Sequence, residues 1–279
     1  MFIRACFFFA SLCLTALSLP AQDAKSDAQL ADDAYASGNY DLALYAYNRL
    51  AFEIYPEIAP RIEMQIGHCY LGKGDFENAS RFFDRAFFSS TETAHKNSAV
   101  LNKTRALIGQ MNYPLALNEL YSLQFQTLDS LQASSYYLFK AVCLYEMGQF
   151  EAAEQDFLAL VTDSSTIEQL FSRPKEFYRP NSTLALVMST IVPGTGQFYA
   201  NEYREGVNSV IINSIFVYSW IRTINLYGAI DAFIAVLPWF QRYYVGGFNK
   251  ASLLAYERML TNRKAKLAEI LTEIDRQNP

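Results

Sequence analysis

Four segments of this chain carry one pattern at a nearly constant interval. GNYDLALYAYNRL (38–50), GDFENASRFFDRA (74–86), MNYPLALNELYSL (111–123) and GQFEAAEQDFLAL (148–160) begin 36, 37 and 37 residues apart. A period of this length marks a stacked supersecondary unit, too small to bury its apolar face alone and stable only against its neighbours. Gly38, Gly74 and Gly148 stand where a first helix ends, because glycine tolerates the left-handed backbone that closes a helix. Met111 replaces glycine in the third segment and is expected to weaken that turn. Tyr40, Phe76, Tyr113 and Phe150 follow and cover the base of each turn. Ala43, Ala79, Ala116 and Ala153 are small where two helices cross closely, and Tyr47, Phe83, Leu120 and Phe157 lie four residues on, on the same face. Pro56 reads as a helix stop after the first unit. The pattern predicts an all-α region of four helix pairs across residues 22–162.

These segments resemble the tetratricopeptide repeat (TPR) family, with Gly67 and Tyr70 also fitting its first-helix pattern in the second unit. The resemblance covers about half the chain. It implies a right-handed superhelix with a concave groove lined by first helices. With each turn glycine taken as the fifteenth residue of its unit, the groove positions fall at Lys25, Asp32 and Tyr35 in the first unit and at Arg61, Met64, His68 and Leu71 in the second. They fall at Ser98, Leu101 and Arg105 in the third and at Ser135, Leu138 and Tyr145 in the fourth. Such a mixed surface suits an extended peptide or a helix of a partner protein better than a strongly charged tail. Part of it could instead be covered by the chain's own C-terminal region.

In the same numbering Cys69 and Cys143 occupy one position, two units apart. Stacked units add about 10 Å each, whereas a disulfide needs Cα atoms within about 7 Å. Two separate buried thiols are expected.

At the N-terminus, Arg4, an apolar run from Cys6 to Leu19 and Pro20-Ala21 before Gln22-Asp23 read as a secretory signal peptide over residues 1–21. The run is short beside the ~20 residues of a spanning helix, although an uncleaved anchor is the alternative. Ala10-Ser11-Leu12 before Cys13 makes a poor lipoprotein signal. The expectation is export to a bacterial cell envelope, with the repeats in the periplasm. A net charge of −5 argues against a nucleic-acid partner.

Little points to catalysis. The chain has 2 His, His68 and His95. His68 adjoins Cys69, but helical neighbours point about 100° apart, and the paired Cys and His spacings of zinc sites are absent. Neither a nucleophile elbow nor a phosphate or dinucleotide loop is present. Asp32-Asp33 reads as solvated helix surface. No catalytic residue, metal or cofactor is expected.

Residues 163–182, with Pro174 and Pro180, read as a linker, and residues 183–245 are strongly apolar. VPGTGQFY (192–199) resembles a Pro-Gly-x-Gly-Gln-x-Tyr signature of small bacterial membrane proteins with short helical hairpins. YYVGGFNKASLLAYER (243–258) resembles the end of a TPR-plus-membrane arrangement in bacterial envelope proteins. Pro193, Gly194 and Gly196 should break a helix, and Gln197 and Tyr199 complete the signature. Asn208, Asn213, Asn225 and Asp231 are polar inclusions that in lipid would face other helices.

Three crossing segments, about 183–200, 206–221 and 224–240, satisfy the positive-inside rule. They leave the tail with Arg242, Lys250, Arg258, Arg263, Lys264 and Lys266 inside. A two-segment hairpin would leave that tail outside, and a soluble aromatic-rich helical cap is the third possibility. Residues 246–279 read as an amphipathic helix, with Leu253, Tyr256, Leu260, Leu267, Ile270, Leu271 and Ile274 on one face. It would pack on the preceding helices or lie on an anionic membrane. The functional expectation is a membrane-tethered scaffold that binds a protein or peptide. The alternatives are a transport or membrane-protein assembly component sensitive at Asp231 and the VPGTGQFY turn, and a soluble exported repeat protein.

Overall fold

The computed structural model describes residues 21–53 and 59–278, with side chains for 27–52 and 59–278. Residues 1–20 of the expected signal peptide, Pro56 and the side chain of Lys25 lie outside that set. The described chain is all-α, with no strand among the described residues. It divides into two compact units, one running to Leu160 and one starting at Val161.

The first unit consists of helix pairs. These are α1 (Ala21–Ala36) with α2 (Tyr40–Glu53), α3 (Ala59–Gly72) with α4 (Phe76–Ser89), α5 (Thr93–Gly109) with α6 (Tyr113–Ser122), and α7 (Ser130–Glu146) with α8 (Phe150–Leu158). Each pair closes through the same turn. Gly38, Gly74, Met111 and Gly148 have φ of 75°, 75°, 59° and 80°. At each, this residue and the next donate back to the preceding helix: Gly74 N–H reaches the Leu71 carbonyl at 3.0 Å and Asp75 N–H the Tyr70 carbonyl at 2.9 Å. Met111 and Asn112 make the same two bonds to Ile108 and Leu107, both at 2.9 Å. The third turn is therefore built like the others, on a residue that adopts its backbone at a cost.

The four alanines at the helix crossings are fully buried, as are Phe83, Leu120 and Phe157, with Tyr47 nearly so. In the first two pairs the aromatic after the turn reaches the next repeat. Tyr40 lies over Gly72 and Phe76 over Gly109, where an added Cβ would collide with each ring. An ion pair also repeats. Lys103 meets Glu119 at 2.9 Å, and Lys140 meets Asp156 at 3.0 Å one repeat later. Cys69 and Cys143 are separate buried thiols, pushed by burial up to about 11 and about 12.

The second unit begins with α9 (Ser165–Phe171) and a 3₁₀ turn (Pro174–Tyr178), where a linker was expected. Ile167, Phe171 and Phe177 are buried, so this segment belongs to a core. There follow α10 (Ser182–Ile191), α11 (Thr195–Tyr199), α12 (Tyr203–Tyr227) and the 49-residue α13 (Ala229–Gln277). Buried alanines at 185, 200, 251 and 255 bring α10, α11 and α13 close together. Gln277 closes the unit: its Oε1 accepts from Thr162 N–H at 3.0 Å and Asp163 N–H at 2.9 Å.

The expected segmentation of the apolar block is corrected. Residues 183–200 form two short helices parted at Gly194, whose φ is 96°. Arg222-Thr223 does not interrupt α12: arginine is a good helix former, and Thr223 Oγ1 satisfies itself on the Ser219 carbonyl at 2.8 Å within the helix. The break falls at Gly228 (φ 103°), inside the expected third segment. The C-terminal amphipathic stretch is the continuation of α13 rather than a separate helix: Leu267, Ile270 and Ile274 are buried, while Leu253 and Tyr256 are exposed. Among the described residues no helix is long and apolar enough to cross a membrane, so three crossing segments are not what the chain forms.

Candidate functional site

The first-helix face of the repeat unit carries a pocket of about 450 Å³ between α3 and α5. Arg61, Met64 and His68 line it at three- and four-residue steps along α3, with Ser98 opposite on α5. The structure therefore brings together four of the expected groove residues. Arg61 also approaches Asp32 of α1 at 3.7 Å, and Asp32 accepts from the Tyr47 hydroxyl at 2.6 Å. His68 stands edge-on to Phe83, with ring centroids 5.3 Å apart. Burial, and then the Arg105 guanidinium, hold its imidazole below the usual histidine range, so it is neutral near pH 7. Tyr35 is held protonated above the usual phenol range, chiefly by burial.

Not every expected position is available. Leu101 and Tyr145 are 5% and 1% exposed, so they serve the core and not the groove. Tyr145 packs edge-on to Phe150 at 5.1 Å, where the turn aromatic of its own pair covers it. Leu71 and Leu138 are half-buried and Arg105 is exposed. Gln65, His95 and Asn102 line the pocket without having been singled out. His95 lies in a polar stretch, STETAHKNS, that reads as an inter-repeat loop or a helix start, and it stands in the first turn of α5, one and two turns before Ser98 and Asn102. Among the described residues no group of three or more His, Cys, Asp or Glu is placed to hold a metal.

The VPGTGQFY segment proves to be a clasp. Gly196 N–H donates to Ser189 Oγ at 2.9 Å, Ser189 Oγ donates to Gln197 Oε1 at 2.8 Å, and Gln197 Nε2 donates to the Gly247 carbonyl at 2.9 Å. That chain joins α10, α11 and α13. A Cβ on Gly196 would collide with the Ala185 carbonyl, and one on Gly194 would lie 2.7 Å from the Gly206 carbonyl. Tyr199 accepts from Asn181 N–H at 3.1 Å. Pro193 precedes this knot, and Asp231 stands apart from it, exposed in the first turn of α13.

Beyond the clasp, α12 and the first part of α13 form a hairpin with an inverted pattern. The buried or half-buried positions of α12 are Glu205, Gly206, Ser209, Asn213, Phe216, Ser219, Trp220 and Thr223. Val207, Val210, Ile211, Ile215, Val217 and Ile221 are exposed. On α13, Ala232 is fully buried while Ile230, Phe233, Ile234 and Trp239 face outward. Small and polar residues line much of the inside, beside the buried Val236 and a cluster of Phe216, Phe240 and Tyr244, while most of the large aliphatics face out. Comparison of the chain with protein-family models, with curated proteins and with solved structures gave no match.

Proposed function

We propose that this protein is a membrane-associated scaffold of the TPR type in a bacterial envelope. It holds a protein or peptide on the first-helix face of its repeats and enters a bilayer through the α12–α13 hairpin. The inverted hairpin carries this reading. In water, burial of apolar surface drives folding, so large aliphatics go inside. Between helices in lipid that drive vanishes, and small and polar residues form the contact instead. Gly206, Ser209, Asn213 and Ala232 inside, with Val210, Ile211, Ile215 and Phe233 outside, follow the second rule.

Insertion here means entry of the hairpin's apolar faces into the lipid, without a helix that crosses alone. The test is direct, because both Trp of the chain, Trp220 and Trp239, lie on this hairpin. Vesicles made with bromine-labelled acyl chains should quench Trp emission and shift it to shorter wavelength. Emission unchanged by such vesicles would overturn the membrane reading. The groove is tested separately by partner recovery with a Tyr35→Ala, Met64→Ala, Arg105→Ala variant. Undiminished recovery would count against it.

A further inference from the structure

The short helix α10 is turned inside out as well. Ala185 and Ser189, one turn apart, are buried towards α11 and α13. Leu184, Val187 and Ile191 stand exposed on the outer side at three- and four-residue steps. At the end of the helix Ile191 is 75% exposed and Val192 52%. A helix face turned to water is ordinarily polar. From Pro180 to Asn201 the chain has no charged residue at all.

The turn after α10 leaves few groups for water to solvate. Pro193 has no N–H. Thr190 Oγ1 donates to the Leu186 carbonyl at 2.9 Å, and Thr195 Oγ1 to the Val192 carbonyl at 2.7 Å. Thr195 N–H reaches the Val192 carbonyl at 3.2 Å, and Ser189 Oγ takes Gly196 N–H at 2.9 Å. Irregular backbone is tolerated in lipid where protein supplies its partners in this way.

Two contacts fix where the turn sits. A Cβ on Gly194 would lie 2.7 Å from Val210 Cγ2, so the turn rests on α12. The Tyr244 hydroxyl donates to the Thr190 carbonyl. Lys250 and Glu205 form the ion pair at the root of the hairpin. Tyr244 is six residues nearer the hairpin tip than Lys250, about 9 Å along α13. The turn therefore projects past the root charges, and its exposed side chains continue the apolar surface of Val210. Arg242 also lies past the root, but its long side chain lines one cavity with the Lys250–Glu205 pair.

We infer that α10 and α11 form a second, shorter wedge that dips into the lipid beside the hairpin and turns back without crossing. Ile191 and Val192 lead it, and what they meet is the acyl chains of the bilayer. This rests on the membrane reading of the hairpin and adds a second point of entry to it.

The test uses the full chain with Trp220→Phe and Trp239→Phe, and one new Trp from Val192→Trp. A companion chain carries Tyr178→Trp instead, beside Arg263 on the other side of the root. The vesicles hold equal parts of phosphatidylcholine and phosphatidylglycerol with bromine-labelled acyl chains. They should quench the emission of the Val192→Trp chain and shift it to shorter wavelength, and leave that of the Tyr178→Trp chain unchanged. Equal response of the two chains would overturn the wedge. So would an unquenched Val192→Trp chain: if the native Trp pair is quenched by the same vesicles, the hairpin enters alone, and if it is not, the membrane reading falls too. In the native chain, Ile191→Ser with Val192→Ser should weaken vesicle binding about ten-fold or more, the scale of withdrawing two aliphatic side chains from lipid. The melting temperature without vesicles should stay at that of the parent, because both side chains are exposed. Unchanged vesicle binding, or a lowered melting temperature, would give these residues to a protein partner or to the fold and overturn the wedge.

Discussion

The ring of Phe83 fills the space that a side chain on Gly67 would need: a Cβ there would lie 2.6 Å from Phe83 Cε1. The two residues belong to the facing helices of one pair, and Phe83 is fully buried. The same ring meets His68 edge-on. It has no room to retreat.

Gly67→Ala should therefore destabilise the repeat unit. Alanine is the better helix former by roughly 0.8–1 kcal/mol, but overpacking a fixed core costs about 1–3 kcal/mol, and the steric effect wins. Chemical denaturation should show a lower midpoint with an unchanged slope. A midpoint equal to or above the parent's would refute the close fit.

Met111 offers the opposite change. Its φ of 59° places a non-glycine residue in the left-handed region, and its side chain is 68% exposed. Met111→Gly gives up little burial and relieves strain of about 1–2 kcal/mol. The melting temperature should rise. The reverse substitution, Gly74→Met, should lower it by a similar amount, since Gly74 has the same turn with φ of 75°.

His68 should make the repeat unit sensitive to acid. Its folded pKa lies below the ordinary value, owing to burial first and Arg105 second. The unfolded chain then binds more protons than the folded one as pH falls through the ordinary histidine range near 6.5. Stability is full above that range and declines below it. His68→Gln should flatten this part of the stability profile between about pH 7 and 5. A parent profile already flat there would exclude the effect.

The clasp at Gln197 should hold the root of the hairpin. Gln197 is 1% exposed and bonds both Ser189 and the Gly247 carbonyl. Gln197→Leu leaves those groups buried without partners, at about 1–3 kcal/mol. Limited proteolysis should then cut within residues 161–279 sooner than in the parent, with the repeat unit retaining its resistance. Equal cleavage rates would show that the signature has no structural role there.

The repeat unit was legible because its period fixes which residues must be small, large or left-handed. Ala43, Ala79, Ala116 and Ala153 were found by spacing alone, and all are fully buried. The groove was legible only in part. Repeat numbering gives equivalent positions equal standing, yet Phe150 lies over Tyr145 and removes it from the surface. Gly72 and Gly109 went unread, because their purpose lies in the aromatic of the previous repeat. In the apolar block, the sequence reading took Arg222-Thr223 as the interruption and passed over Gly228. Arginine is a good helix former, whereas Gly228 adopts a backbone that ends one. Asn213 does face inward as a polar inclusion should, while Asn208, Asn225 and Asp231 are exposed. Hydropathy along the chain carries no information about which face a residue takes.

Tyr40 on Gly72 and Phe76 on Gly109 also bear on how the repeats come apart. Each aromatic locks into a notch of the following pair, so loosening one pair weakens its neighbour. At the third junction the position of Gly72 and Gly109 is taken by Glu146, which has a full side chain and whose charge, after burial, raises the Tyr113 phenol. In a linear array stability is a sum of unit and junction terms, so this junction is the weak link of the series. Fraying should begin with α7 and α8, which exchange their amide hydrogens ahead of α3 to α6, and the first three pairs should melt together as one cooperative block.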